Sequence, residues 1–220
     1  MKSSRTICLM TSILISSFSY AQKTVSEGTI AYTITIKDID KNTEGKNDLT
    51  ASSIIYLKGN LSRTDMISPL GSETTIHGFV NGNSVVLKQY SGQKLMITLS
   101  KENWQSKYKK YAGTTFQPTA ETKVIATYNC KKAIAKLKDG SMFIVYYTAD
   151  INTMDKNYDP IFEGLPGLPV QYEFTAGKHT FIYVLSKIDL DPVPASKFDI
   201  PKSGYRIMTY DEAREHSETN

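Results

Sequence analysis

Hydrophobic and polar residues alternate along most of the chain, beginning near the amino terminus. Between Gly28 and Lys37, isoleucine or tyrosine occupies most of the alternate positions, and threonine most of the positions between them. A period of two places these sets on opposite faces of a strand, so the stretch predicts a half-buried β-strand with one apolar face. Similar patterns predict further strands at about residues 53–57, 62–67, 74–80, 84–90, 94–99, 123–128, 132–137, 142–147, 170–174 and 179–188.

Tight turns and short helices complete the predicted secondary structure. Glycine-containing pairs separate most of the strands, as hairpin turns require. Residues 102–111 predict a short helix capped by Ser100, and Thr209 with Glu212 forms a capping box that opens a final helical turn or two. The pattern therefore predicts a mainly β protein: one large curved antiparallel sheet, a half-barrel, with one or two short helices. Its concavity would either pack on loops such as 149–169 or hold an apolar guest.

The first 21 residues have the features of a secretory signal peptide. A basic start with Lys2 and Arg5 precedes an apolar stretch and the small-residue ending Ser-Tyr-Ala. The apolar stretch is shorter than the roughly 20 residues that a membrane-spanning helix needs, and no later segment approaches that length. We therefore expect an exported chain that begins at Gln22, has no membrane-spanning segment and folds as a single β-rich domain over residues 22–220. Periplasm and cell exterior both remain open as its destination.

Charge and cysteine content exclude further classes of function and structure. Removal of Lys2 and Arg5 with the signal lowers the formal charge from +4 to +2, and this near-balance argues against a nucleic-acid partner. Cys130 is the only cysteine after the signal, so no internal disulfide is expected. Its two interpretations are a small buried hydrophobic residue and an exposed thiol that reacts or cross-links chains.

No catalytic or metal-binding motif is visible. His77, His179 and His216 lie in separate segments without a second ligand at metal-binding spacing, so neither a metal nor a cofactor is predicted. The run 107–111 places three lysines and two tyrosines on the predicted helix. This run favours either an acidic partner or lipid headgroup, or simply a solvated helix face.

The most unusual stretch of the chain is a tandem repeat of Gly-Leu-Pro at residues 164–169. Prolines restrict φ and donate no backbone hydrogen bond, so this segment is not expected to be a central strand. On a polyproline-like path Leu165 and Leu168 would share one edge, while Gly164 and Gly167 would share another. Together with Pro166 they form either a rigid joint at one end of the core or a contact for a ligand or partner.

Three blocks of residues, in this order, resemble the GLPGLI family of exported proteins from Gram-negative bacteria. The blocks are residues 128–133, 145–151 and 162–168, and residues 27–32 also fit the first strand of the family. The resemblance implies a protein without an established activity. It also implies kinship with periplasmic lipoprotein carriers, whose curved antiparallel sheets shield acyl chains. Pro169 stands where isoleucine is usual in the family, which would shift the start of the following strand.

These observations favour a noncatalytic exported protein that binds a lipid-like or other apolar ligand, or a protein partner, at the cell envelope. A structural or adhesive envelope component is one alternative. The other is a hydrolase that uses the acids of one loop, Asp150, Asp155, Asp159 and Glu163, although solvated loop charges are the ordinary interpretation. Oligomeric state is left open by the sequence.

Overall fold

The computed structural model describes residues 22–38, 49–78 and 82–218. The predicted signal peptide lies outside the described residues, as do residues 79 and 80 at the end of one predicted strand. The strands are β1 (Lys23–Val25), β2 (Glu27–Asp38), β3 (Leu49–Lys58), β4 (Leu61–Ser68), β5 (Gly71–His77), β6 (Ser84–Tyr90), β7 (Gln93–Leu99), β8 (Thr115–Ile125), β9 (Tyr128–Lys136), β10 (Met142–Thr148), β11 (Ile151–Thr153), β12 (Leu168–Ala176), β13 (His179–Asp189) and β14 (Arg206–Thr209). The helices are α1 (Lys101–Lys107) and α2 (Tyr210–Glu218), with 3₁₀ turns at Lys109–Tyr111, Pro160–Phe162 and Ala195–Phe198.

Twelve of these strands form one mixed sheet, in the order β14-β7-β6-β5-β4-β3-β2-β13-β12-β10-β9-β8. Strands β2 to β7 are an antiparallel meander, β8 to β10 are a second one, and the β12–β13 hairpin returns the chain so that β13 pairs with β2. The predicted large antiparallel sheet is confirmed, with one difference: β14 pairs with β7 in parallel. The sheet is not closed, and β1 and β11 form a separate parallel pair.

Contacts made by α1 and the turn after it show that the sheet is strongly curved. Trp104 packs on β6 and β7, whereas the ring of Tyr111 lies 6.2 Å from that of Phe174 on β12. Seven strand spacings separate β7 from β12, about 34 Å along the sheet. The chain from residue 104 to 111 spans at most about 25 Å even when fully extended. The sheet must therefore bend around α1, which lies on its concave face.

The convex face of β4 to β7 is covered by residues 193–205. Trp104 stacks on His77 from the concave side, so the neighbouring Ile76 points to the convex side. There Ile76 packs with Val193 and Phe198. Both faces of this end of the sheet are thereby shielded from water.

The helices begin where the capping residues predict. Ser100 makes both bonds of a capping box at the start of α1, and Thr209 and Glu212 bond reciprocally at the start of α2. The helix predicted over 102–111 is only partly α-helical, because a 3₁₀ turn at Lys109–Tyr111 replaces its last turn. Among the described residues, no helix combines the length and the hydrophobicity needed to cross a membrane.

One predicted strand, 123–128, is wrong because a hairpin turn divides it. Ile125 pairs with Tyr128 at the end of β8 and the start of β9, which leaves Ala126 and Thr127 as a two-residue loop. Their φ angles are 49° and 73°, both positive, as a type I′ turn requires. Asn-Gly and related pairs normally occupy such turns, so this one carried no recognisable sequence signal.

Replacement of Thr127 by glycine should stabilise the fold. A left-handed conformation costs an ordinary residue about 1 to 2 kcal/mol, and part of the gain is offset by the extra freedom of glycine in the unfolded chain. We expect Thr127→Gly to raise the free energy of unfolding by about 0.5 to 1 kcal/mol, measured by urea denaturation. Thr122→Gly, on the exposed strand β8 that precedes the turn and without a positive φ, should instead be destabilising; equal effects of the two variants would contradict the assignment of strain to the turn.

Candidate functional site

Aromatic side chains fill the centre of the concave face. Three of them, here called the tyrosine cluster, are Tyr32 on β2, Tyr172 on β12 and Tyr183 on β13. The rings of Tyr172 and Tyr183 stack with centroids 4.6 Å apart, and Tyr32 meets them edge-on at 5.8 and 6.5 Å. Phe162, from the loop between β11 and β12, lies 4.7 Å from Tyr172. The loop thus occupies the place that an apolar guest would need.

The two leucines of the Gly-Leu-Pro repeat are part of this filling. Leu165 is 0% exposed and Leu168 1% exposed, both in the main core, whereas Gly164 and Pro166 lie at the surface. Their burial agrees with the interpretation of the segment as a joint. The segment does not follow a polyproline-like path, because the N–H of Leu165 bonds to the carbonyl of Phe162 at 3.0 Å and the N–H of Gly167 bonds to the carbonyl of Leu165 at 2.9 Å. Two successive tight turns therefore aim the leucines inward.

Close backbone approach explains the second glycine of the repeat. A Cβ atom on Gly167 would lie 2.1 Å from the carbonyl oxygen of Thr148, so any larger residue would push the segment away from β10. Pro169 follows inside β12, paired with Tyr147, so the expectation that the segment avoids a central strand is wrong for its last two residues, whereas residues 164–167 precede the strand. The sheet accommodates this proline at a register shift in β10, where a missing donor is tolerated. Its carbonyl accepts a hydrogen bond of 2.8 Å from the hydroxyl of Tyr32.

The three blocks that carry the family resemblance lie side by side in the structure. Residues 128–133 are on β9, residues 145–151 on β10 and the start of β11, and residues 162–168 lead into β12. Since β9, β10 and β12 are consecutive in the sheet, the blocks form one continuous packing unit. Their positions supply a structural reason for these residues to occur together.

Cys130 belongs to the same packing unit and is 1% exposed. Its Sγ contacts the carbonyl oxygen of Tyr128 at 3.4 Å. Burial raises the pKa of the thiol, which disfavours the reactive thiolate. This environment is that of a small hydrophobic residue and not that of an accessible nucleophile.

The four loop acids are not gathered into one site. Asp150 and Glu163 are exposed, and the carboxylate of Asp155 accepts the backbone N–H of Asn157 at 2.8 Å. Asp159 differs from them, because it lies against the tyrosine cluster. Burial raises the pKa of all three tyrosine hydroxyls, and the negative charge of Asp159 adds to this effect. Burial raises the pKa of Asp159 itself to about 7, although the nearby N–H of Ile161 favours the charged form.

The histidines have separate environments. His77 stacks on Trp104 with centroids 4.2 Å apart, its Nδ1 lies 2.6 Å from the hydroxyl of Ser84, and burial lowers its pKa. His179 is exposed at the start of β13 and His216 is exposed on α2. Within residues 22–38, 49–78 and 82–218, no cluster of three or more histidine, cysteine or acidic side chains is arranged to hold a metal ion.

Open space remains at one corner of the concave face. A cavity of about 480 Å³, here called the α2 groove, lies between α2, the end of α1 and strands β6, β7 and β14. Its volume falls within the range of about 300 to 1,000 Å³ that is usual for small-molecule sites. Its lining residues are Val86, Lys88, Gln93, Leu95, Ile97, Leu99, Lys107, Arg206, Met208, Tyr210, Ala213, Arg214 and His216. None of these is acidic.

Strand register divides the floor of the α2 groove into two ends. One row of register partners crosses β6, β7 and β14 at the cationic end: Lys88, Leu95 and Arg206. A second row crosses the same strands at the apolar end: Val86, Ile97 and Met208. The rows are two residues apart along each strand, or about 7 Å. The groove is therefore amphipathic along its length.

Lys107 projects from the last turn of α1 toward the cationic end. Its ammonium lies 5.9 Å from the ring centroid of Trp104 and 5.5 Å from that of Tyr108. Burial lowers the pKa of Lys107, with Lys88 adding to the effect and Glu73 opposing it. Glu73 is already paired with Lys88 at 3.2 Å. In the described part of the chain, the Lys107 ammonium has no ion-pair partner and no hydrogen-bond acceptor.

The sequence pointed to part of this site only. Lysines 107, 109 and 110 form one run in the sequence, but Lys109 and Lys110 are exposed and only Lys107 of the three lines the groove. Strand β14, which supplies Arg206 and Met208, is not predicted from the sequence, because its four residues Arg-Ile-Met-Thr do not alternate between polar and apolar positions.

Comparisons with known proteins do not identify the chain. No family model matches it, and no curated protein does. A solved structure of PNGF-II is similar over 86% of this chain, with 14% identity and a TM-score of 0.45, and MucB over 80%, with 9% identity and a TM-score of 0.38. The complex of MucA and MucB from Pseudomonas aeruginosa gives the same identity and score as MucB. The chain spans about a third of the length of PNGF-II and just over half that of MucB. Likenesses this distant assign no function.

Truncation of either buried leucine of the repeat should destabilise the protein. We expect Leu165→Ala and Leu168→Ala each to lower the free energy of unfolding by about 2 to 5 kcal/mol, because each leaves a cavity in the main core. Guanidinium denaturation measures the effect. Glu163→Ala, an exposed change in the same segment, should stay within about 0.5 kcal/mol of the parent protein. Unchanged midpoints for both leucine variants would show that the segment is not a structural joint.

Asp159 should make stability depend on pH. Its pKa of about 7 in the folded protein exceeds the unfolded value of about 3.9, so folding favours the protonated carboxyl. The stability that this group contributes is present below pH 4 and is lost as the pH rises to about 7. Asp159→Asn should therefore unfold at higher urea than the parent protein at pH 8, with a smaller difference at pH 5. A variant that is less stable than the parent at pH 8 would contradict this prediction.

Proposed function

We propose that this protein is an exported, noncatalytic binding protein of the bacterial cell envelope that holds an apolar, lipid-like ligand in the α2 groove. The observation that carries the proposal is the groove itself, a cavity of about 480 Å³ with an aliphatic floor on a face that is otherwise filled by protein. Apolar cavities with a few polar groups at one side are the usual form of a small-molecule site.

The α2 groove lies away from the centre of the concavity, for which the sequence left two alternatives, loops such as 149–169 or an apolar guest. A carrier with an empty half-barrel would hold its ligand at the centre of the sheet, but Phe162 and the tyrosine cluster occupy that region. Ligand binding at the corner by α2 leaves this core intact. The proposal thus needs no rearrangement of the main core.

Two parts of the proposal, export and family membership, are supported by the sequence. The signal peptide at residues 1–21 supports export, and the three adjoining blocks support membership of the GLPGLI family. The buried thiol of Cys130 and the separated loop acids support a noncatalytic role. The alternative to an apolar ligand is a protein partner at the cell envelope.

Binding of N-phenyl-1-naphthylamine, a neutral dye that fluoresces in apolar surroundings, tests the proposal. Ala213 lines the apolar side of the groove from α2, so Ala213→Phe should fill part of the cavity without removing a core side chain. We expect this variant to weaken dye binding by about tenfold, since the displaced contacts are worth about 1.4 kcal/mol.

Asp211→Phe is the matched control, because Asp211 is exposed on the same helix and does not line the groove. It should bind the dye as the parent protein does. A parent protein that binds no dye, or two phenylalanine variants that bind it equally well, would overturn the assignment of the ligand to the α2 groove.

A further inference from the structure

We propose that the ligand of the α2 groove is a single-chain amphiphile with an anionic headgroup, a carboxylate or a phosphate, held by Lys107, Lys88 and Arg206. This inference rests on the proposed function and names its ligand class. The headgroup lies at the cationic end of the groove, and the chain extends over the second row of the floor toward α2.

The first argument is the distribution of charge. Lys88 and Arg206 flank Leu95 in one row of the floor, and Lys107 approaches the same row from α1 above it. No acidic residue in the described part of the chain lines the groove. Outside the lining, Glu73 pairs with Lys88 and favours the charged form of Lys107, and Glu212 lies near Arg206. Three cations therefore line one end of an apolar cavity, while the two nearby carboxylates lie outside the lining, so the surface that a ligand meets is positively charged and favours an anion.

The second argument is the state of Lys107. A partly buried ammonium is usually paired, since removing it from water is unfavourable unless another charge or acceptor replaces the lost hydration. In the described structure the faces of Trp104 and Tyr108 serve this purpose, together with Glu73, which is near Lys107 but forms its ion pair with Lys88. Aromatic faces attract a cation but accept no strong hydrogen bond. An anionic oxygen in the groove would supply the missing acceptor.

The third argument is the size and polarity of the remaining space. Beyond the cationic row, the floor consists of Val86, Ile97 and Met208, and Tyr210 and Ala213 of α2 pack against the same apolar cluster. A volume of about 480 Å³ suits a small ligand and not the two chains and headgroup of a membrane phospholipid. One alkyl chain next to one anionic group matches both ends of the groove.

Displacement of N-phenyl-1-naphthylamine by decanoate, decyl phosphate and 1-decanol tests the inference. The three share one chain and differ in the headgroup. We expect decanoate or decyl phosphate to displace the dye at about tenfold lower concentration than 1-decanol, as a charge-assisted hydrogen bond predicts. The better of the two anions identifies the headgroup as a carboxylate or a phosphate.

Three variants test whether the preference for anionic amphiphiles depends on Lys107. Lys107→Gln should remove most of the preference for the anions while leaving the affinity for 1-decanol unchanged, and Lys107→Arg should retain it. Lys109→Gln, an exposed change in the same run, should bind every probe as the parent does. Urea midpoints confirm that all three variants are folded.

The outcomes separate this inference from the proposed function. If the dye and 1-decanol bind but the anions have no advantage, or if Lys107→Gln weakens all probes equally, the anionic headgroup is wrong and the apolar groove remains. If neither the dye nor any of the amphiphiles binds, the proposed function fails and this inference fails with it.

Discussion

The antiparallel ladder between β2 and β13 is the constraint on which the rest of the structure depends. It joins two meanders that would otherwise be separate small sheets, and it does so over ten register pairs from His179 with Asp38 to Asp189 with Thr29. A sheet of twelve twisted strands cannot remain flat, so it curls. Curling creates a concave apolar face, which must be covered by some other part of the same chain.

Two segments cover that face, and their placement decides where a ligand can bind. The loop that ends in the Gly-Leu-Pro repeat covers the centre, where Leu165 and Leu168 enter the core and Gly167 touches the backbone of β10. Helix α1 covers the region next to it through Trp104. Helix α1 covers only part of the corner formed by β6, β7 and β14, where Lys107 lines its edge, so the α2 groove is what remains of the concavity.

Two ionisable groups illustrate opposite responses to burial. Asp159 lies among tyrosines, and its raised pKa allows it to take up a proton and become neutral near pH 7. Lys107 has a lowered pKa for the same reason, but it is the aromatic rings and the nearby Glu73 that support its charge. A group that can become neutral needs no partner, whereas a retained charge at the wall of a cavity favours a ligand of opposite charge.

The sequence by itself determined the elements whose signals are local. Alternation over ten residues identified β2, and the capping residues Ser100 and Thr209 marked the starts of both helices, because periodicity and caps depend only on neighbouring residues. Most of strand β8 was not predicted, because this exposed edge strand has few apolar residues and the turn that follows it contains Ala126 and Thr127 in place of glycine. Tertiary structure alone decided the site. Lys88, Lys107 and Arg206 come from distant parts of the chain, and only the register of β6, β7 and β14 and the curvature of the sheet bring them together, since charge and burial at a shared cavity depend on packing between elements.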